Sequence, residues 1–376
     1  MTTQTKHFIE PLDVLFLRGN KLFGDPGSYG ESLVPPWPSV AAGALRSLIL
    51  ANDGYDLAAF AAGGAVHPQL GTPQTPGSFA IVGIEVARRG PTGNVDTFHA
   101  LPADLVATRV ETAGLLQLQQ LRPLPPSPGI LSSLPLAHWP VLAQAQRSKA
   151  VNGLWLTSAG WAAYLSGDLP TLGQMIATDE LWKLDPRVGV GLDSESGRAA
   201  DGQLFSVQAV AFRAGVGFLA TVRGASVPAS GMLRFGGDGR GAALHAADHH
   251  APEIDLAVLA SKKRCRLVLT TPGLFKDGWC PPGVDETLQL RLPGLSARLV
   301  CAAVPRAEVV SGWDLAQRQP KPAMRAAPAG SVYWLDQLET TPSALRKLAE
   351  SGLWTDESDN LQRRAEGFNR FSFAAW

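Results

Sequence analysis

Residues 34–50 read VPPWPSVAAGALRSLIL, a stiff approach followed by a helix. Pro35, Pro36 and Pro38 hold the approach extended, because proline sets φ and restricts the residue before it. Ser39 is the expected N-cap, with small residues filling the first turn. Leu45, Leu48 and Ile49 recur at helical spacing and predict the buried stripe. Gly43 and Arg46, three residues apart, share another face. Bare backbone at Gly43, a cation at Arg46 and the unpaired N–H groups of the helix start form a pattern that suits a phosphate. An ordinary proline-led helix with a surface arginine fits the same residues, so the neighbouring sequence has to decide.

Upstream, Phe8, Leu12, Val14 and Phe16 alternate and predict a strand over His7–Leu17, with Pro11 marking an edge or an irregularity. Arg18 and Lys21 then lie on the loop that leads to the helix. Downstream, Ser78–Arg88 and Val95–Ala100 read as a strand pair. Residues 101–140 are broken by prolines, with LRPLPPSPG at their centre, and predict an irregular insertion with little core of its own. Ser158–Leu165 and Leu172–Trp182 read as short helices. Strand patterns return at Gln203–Phe212, Phe218–Val222 and Met232–Phe235, the last running into Gly236-Gly237-Asp238-Gly239-Arg240-Gly241. A loop this rich in glycine lets a ligand backbone come close, and Arg240 can hold a phosphate through two parallel hydrogen bonds. It lacks the lysine and hydroxyl residue of a nucleotide-binding P-loop.

A second unit begins after residue 255. Its pattern is a strand (Arg266–Thr270), a short irregular segment, strands at Leu295–Val310 and Ser331–Leu335, a helix, and a last strand within Phe368–Trp376. Thr341-Pro342 supplies the helix start, Leu345 and Leu348 its buried side, and Gly352 its stop. This order approximates a ferredoxin-like module. The expected fold is therefore α+β: two ferredoxin-like, RRM-like domains, residues 1–255 with a large insertion around 101–200, and residues 256–376.

Composition restricts the function. The 376 residues carry 33 basic and 33 acidic side chains, so no global field attracts nucleic acid or membrane, and any RNA site must be local. The three cysteines Cys265, Cys280 and Cys301 are far apart, which argues against a disulfide framework or a zinc site and fits a reducing cytoplasm. No leader or long apolar segment is evident. Asp248-His249-His250 is the most tempting catalytic cluster, but AADHHAPEID reads as a surface turn without partner carboxylates. No HExxH or GxSxG occurs. Neither a catalytic residue, a metal nor a cofactor is expected. Basic residues cluster at Lys262-Lys263-Arg264-Arg266, in Arg318–Arg325 and at Arg363-Arg364; each reads as a solvated face or as part of an RNA groove.

Taken together, IEPLDVLFLRGNKLF, PPWPSVAAGALR, PRVGVGLD, LRFGGDGR, TPGLFKDGW and GWDL…PKP…APAGSVYW resemble the third subunit of the Cmr-type, type III-B CRISPR effector complex, one of the RAMP proteins. The likeness runs in order from Ile9 to Phe368. It implies two ferredoxin-like domains, a place beside the large polymerase-cyclase-like subunit and the repeated backbone RAMP subunit, and a non-catalytic role in holding the 5′ tag of the guide RNA. Carried onto this chain, the tag-binding residues are Arg18, Lys21, Ser39, Gly43 and Arg46, then Gly236, Gly237 and Arg240, then Lys321 and Arg325. Asn369 stands where the family commonly has a second glycine, which counts against RNA contact by the last loop. An RNA-processing RAMP endoribonuclease and a pure protein scaffold remain as alternatives.

Overall fold

A computed structural model describes residues 4–19, 29–109, 115–130, 132, 135–144, 148–193, 195–314, 317, 319–355 and 360–376. Lys21 falls outside them. In chain order the elements used below are β1 (Gln4–Pro11), α1 (Pro38–Asn52), β2 (Ala80–Arg89), β3 (Val95–Ala100), β4 (Leu105–Arg109), β5 (Leu116–Gln120) and β6 (Leu154–Thr157). They continue as α2 (Ser158–Ser166), β7 (Trp182–Leu192), β8 (Ala199–Phe212), β9 (Val216–Arg223), β10 (Ser230–Arg234) and β11 (Gly241–Ala246). The last are β12 (Cys265–Leu269), β13 (Gln289–Leu292), β14 (Leu295–Ala303), β15 (Val332–Thr340), α3 (Pro342–Ser351) and β16 (Phe371–Ala374). The fold is α+β, with mostly antiparallel sheets and few helices.

The chain divides into two compact units, one of Met1–Val95, Thr178–His249 and Val309–Met324, the other of Asp96–Ala177, His250–Glu308 and Arg325–Trp376. This differs from a single boundary at residue 255, because residues 96–177 pack with the C-terminal strands.

In the first unit the strands lie in the order β2-β9-β1-β11-β10. Register puts Ile9, Leu244 and Phe218 on one face and Phe8, Leu219 and Glu85 on the other. Helix α1 covers the first of these faces. Its Leu48 methyls lie 3.3–3.4 Å from where a Cβ on Gly231 would stand, so the helix packs closely over that point of β10. The helix starts two residues earlier than the sequence suggested. Pro38 is its first residue and Trp37 its N-cap, without a side-chain cap, while Ser39 sits inside the first turn. Proline supplies the preset φ at a position that needs no N–H, so no serine cap is required. A long hairpin, β7–β8, forms a second sheet with Tyr29–Gly30. The expected helix over Leu172–Trp182 is instead two single 3₁₀ turns flanking a short strand, with β7 starting at Trp182.

In the second unit the order is β13-β14-β15-β12-β16. Leu267, Leu269, Tyr333, Leu335 and Phe373 face α3, whose Leu345 and Leu348 complete that core. Thr341 caps α3 through the Ala344 N–H and Gly352 ends it at φ +83°, as its sequence predicts. Val268, Val332, Trp334 and Ala374 face the other way, onto Leu105, Ala107, Leu118, Leu156, Trp161 and Tyr164. The proline-broken stretch therefore does contribute a core. It hides a hairpin, β4–β5, and beyond it β6 pairs with β3.

One ion pair pins that layer. Arg266 projects from the middle of β12 on the side opposite Leu267 and is 2% exposed; Asp104, just before β4, is 0% exposed. Arg266 Nη1 donates to Asp104 Oδ2 at 2.6 Å, Nη2 to the Tyr164 carbonyl and Nε to the Ala375 carbonyl. Tyr164 Oη donates to Asp104 Oδ1 at 2.7 Å, and Gln120 to Oδ2. The guanidinium also lies 4.4 Å from the Tyr164 ring centroid. Burial and the Asp104 charge push the Tyr164 hydroxyl well above its usual range.

Two expectations follow from these cores. Asp104→Ala strands the Arg266 charge in the second core and should cost about 3–5 kcal/mol in urea unfolding; a loss under 1 kcal/mol, the range of a surface pair, would refute the pinning role. In the first unit, burial raises the Glu85 carboxyl from 4.5 to about 7, with Lys6 opposing. Between those values the folded chain keeps a proton that the unfolded chain has released, so this group's contribution falls as pH rises through the window. Glu85→Gln should raise the thermal midpoint at pH 8 relative to wild type and leave it little changed at pH 4; a difference independent of pH would refute the assignment.

Candidate nucleic-acid interface

After β1 the chain turns through Leu12 and Asp13 and makes isolated bridges, Leu15 with Val210 of β8 and Phe16 with Gly237. Gly237 N–H donates to the Phe16 carbonyl at 2.7 Å. The glycine-rich stretch is the turn joining β10 to β11. Asp238 and Gly239 have φ of +57° and +63°, the successive positive angles of a tight hairpin turn, and Arg240 N–H closes it onto the Gly237 carbonyl. Asp-Gly is the residue pair that such turns select. Gly236, at φ +79°, is needed because a Cβ there would stand 2.7 Å from the Phe16 carbonyl oxygen. The close approach permitted at this glycine is thus the chain's own.

The turn gathers arginines on one aromatic ring. Phe16 is 4% exposed and packs with Val207 and Ala209 of β8. The Arg240 guanidinium lies 5.1 Å from its ring centroid and that of Arg187, from β7, 6.0 Å. Arg18 projects beside Gly237, whose Cβ position is 3.4 Å from the Arg18 Nε. Each guanidinium meets a carboxylate: Arg18 Nη2 donates to Asp238 Oδ1 at 2.8 Å, Arg240 Nη1 to Asp13 Oδ2 at 3.0 Å, and Arg187 Nε to Asp185 Oδ2 at 2.9 Å. All six side chains are partly exposed.

Of the residues singled out from the sequence, Arg18, Gly236, Gly237 and Arg240 come together here. Ser39, Gly43 and Arg46 belong to α1, where Arg46 lies over Phe79 at 5.0 Å and Gly43 is exposed with no heavy atom within 4 Å of its Cβ position. Lys321 is held by its backbone to Gly312 in the first unit, whereas Arg325 is an exposed residue of the second. Sequence reading missed Phe16, Arg187 and the three aspartates. Arg187 lies in PRVGVGLD, quoted for its resemblance and not read as a strand; the alternation of exposed Leu184, Pro186, Val188, Val190 and Leu192 was the available signal.

Two basic clusters are not solvated faces throughout. Arg266 is the buried cation of the second core, and Arg363 is 5% exposed and paired with Glu366 at 3.0 Å. Asn369 has φ +59° and is 1% exposed. Its amide accepts from Leu274 N–H at 2.7 Å and donates to the Leu353 carbonyl, so the residue that departs from glycine serves as a clasp. Among the described residues, no group of three His, Cys, Asp or Glu could hold a metal ion, and no helix is long and apolar enough to cross a membrane. Lys6 donates to the backbone carbonyl of His249 at 2.6 Å, a structural use of that turn.

Residues 7–376 match the family described as CRISPR-associated protein (Cas_Cmr3). This chain belongs to the Cas_Cmr3 family. The motif blocks read from the sequence resemble this same family. No curated protein matches it. Among solved structures, this Cas_Cmr3-family chain is similar at 15% identity to a chain of the cryo-EM structure of the Type III-B Cmr-beta bound to cognate target RNA and AMPPnP, state 1. That match covers 97% of this chain and 95% of that one, with a TM-score of 0.45. A chain of the Type III-B Cmr-beta bound to cognate target RNA is similar at 15% identity, over 98% and 96%, also with a TM-score of 0.45.

The two glycines should respond in opposite directions to alanine. Gly236→Ala places a Cβ against the Phe16 carbonyl at positive φ and should cost about 1 kcal/mol or more. Gly43→Ala, in open space within α1, should stabilise by about 0.5–1 kcal/mol. Thermal or urea unfolding of each variant checks both signs.

Proposed function

We propose that this chain grips the 5′ tag of the guide RNA and docks the large polymerase-cyclase-like subunit beside the repeated backbone RAMP subunit, without cutting RNA itself. The observation that carries the reading is the stacking of Arg187 and Arg240 on Phe16, with Arg18 beside them against Asp238 of the Asp238–Gly239 turn. Guanidiniums match phosphate geometry, and the ring beneath two of them limits their motion, so less order has to be created on binding. A chain with no net charge and one local arginine group suits a short single strand better than long RNA. Arg46 and Gly43 on α1 are further tag contacts in this reading.

The strand orders support two ferredoxin-like modules. In the first unit β11-β1-β9-β2 runs last, first, third, second, with α1 as the first crossover; in the second unit β16-β12-β15-β14 does the same, with α3 as the second crossover. Each unit thus keeps one of the two helices of the module. Docking of a protein neighbour is supported by the exposed apolar row Leu184, Val188, Val190 and Leu192, with Leu204 opposite Val190 on the hairpin β7–β8. An apolar face of that kind marks an interaction surface.

The test is tag-RNA affinity of the full-length chain, wild type against Arg18→Ala plus Arg240→Ala, at several salt concentrations. Loss of two charge-assisted contacts should weaken binding about tenfold or more. The slope of log affinity against log salt should shrink by about 1.4, the single-strand value for two phosphates. The RNA should be recovered uncut from wild type. Unchanged affinity and slope would favour the scaffold, and metal-independent cleavage the endoribonuclease.

A further inference from the structure

The arginines of this surface are all occupied. We infer that Asp13, Asp185 and Asp238 are specificity-determining residues that hold the places of RNA phosphates on Arg240, Arg187 and Arg18 until a matching strand displaces them. The inference rests on the RNA-binding reading above and adds how that surface rejects the wrong strand.

Three observations carry it. First, charge balances locally: three guanidiniums and three carboxylates, each pair at 2.8–3.0 Å, leave the patch neutral. A neutral patch does not draw RNA in from a distance, and binding has to come from contacts made at close range. Second, the contacts are easily exchanged. Arg187 and Arg240 each bind their aspartate through one nitrogen only, and Asp13, the most open partner, is 65% exposed. By contrast, Arg298 meets Asp336 through two nitrogens, at 2.9 and 2.6 Å. A phosphate can offer the second oxygen that the one-point pairs lack. Third, loss of the carboxylate does not free the cation to wander, because Phe16 lies beneath the guanidiniums of Arg187 and Arg240. Exchange is therefore close to balanced for a strand whose phosphates reach these arginines together. It is unfavourable for one that reaches only one of them, since the cost of ordering the strand is then set against a single exchange in place of three.

Asp13→Asn, Asp185→Asn and Asp238→Asn test this singly in the full-length chain, with guide-tag RNA and a scrambled RNA of equal length as probes. Asp179→Asn is the control for added charge, since Asp179 is exposed and its side chain is not engaged with these arginines. Thermal midpoints confirm folding, and with three separate variants no single unfolded one removes the test. Each variant should bind the tag RNA about two- to fivefold more tightly than the Asp179→Asn control, the range expected for removing one exposed ion-pair competitor. Scrambled RNA should gain more than tag RNA, so discrimination falls; equal gains on both probes would overturn the specificity role. The arginine double variant, measured alongside, separates the two ideas. If it loses affinity while the three asparagine variants match the control, the displacement inference is wrong and RNA binding stands. If it keeps full affinity, both fall.

Discussion

A single buried charge governs how this chain has to be assembled. Arg266 stands on the fourth strand of a five-stranded sheet, flanked by Trp334 and Ala374 on the neighbouring strands, on a face that is otherwise apolar. A guanidinium there is tolerable only with a full set of acceptors. Asp104, the Tyr164 carbonyl and the Ala375 carbonyl supply them. Two of those three lie in residues 96–177, so the second sheet cannot close its core until that stretch is in place. The excursion of the chain out of the first unit and back again at Thr178 follows from this requirement. With α3 on one face and the 101–166 layer on the other, the sheet is covered on both sides, which is how an antiparallel sheet of mainly apolar strands avoids an exposed apolar face.

The first unit handles charge in the opposite way. Arg18, Arg187 and Arg240 stay at the surface, each against an aspartate, around a hairpin turn in which Gly236 and Gly239 take positive φ. Gly236 admits the Phe16 carbonyl and Asp238–Gly239 reverses the chain. That close packing brings Phe16, and with it Arg18, up to Arg240. A glycine-rich loop here is therefore a positioning device for arginines on neighbouring segments. Exposed pairs of this kind contribute little to stability, which leaves the arginines available for another anion. The same residue type thus serves two ends in one chain: Arg266 holds a core together, and Arg18, Arg187 and Arg240 remain exchangeable.

Local pattern accounts for much of this. Helix α1 rests on the proline run and on apolar residues at helical spacing, α3 on Thr341-Pro342 and Gly352, and the second-unit strands on apolar, β-branched runs with a partly alternating last strand. The motif blocks placed the chain in its family, and the glycine-arginine pattern singled out Arg18, Gly236, Gly237 and Arg240, which the fold brings together at one turn. Periodicity depends on residues a few positions apart, and those preferences survive in the folded protein. Other features depend on partners far along the chain. Asp104 follows a proline and an alanine and looks like any turn residue; only Arg266, 162 positions away, makes it the acceptor of a core cation. Lys262–Arg266 and Arg363-Arg364 read as basic surface, yet Arg266 and Arg363 are buried, because charge in a sequence carries no information about which carboxylate will meet it. Asn369 looked like a defect in a glycine loop until Leu274 and Leu353 came to either side of its amide. Elements and family are properties of neighbouring residues; the membership of residues 96–177 in the second core and the meeting of Arg187 and Arg240 on Phe16 are properties of distant ones, and these exist only once the backbone has closed.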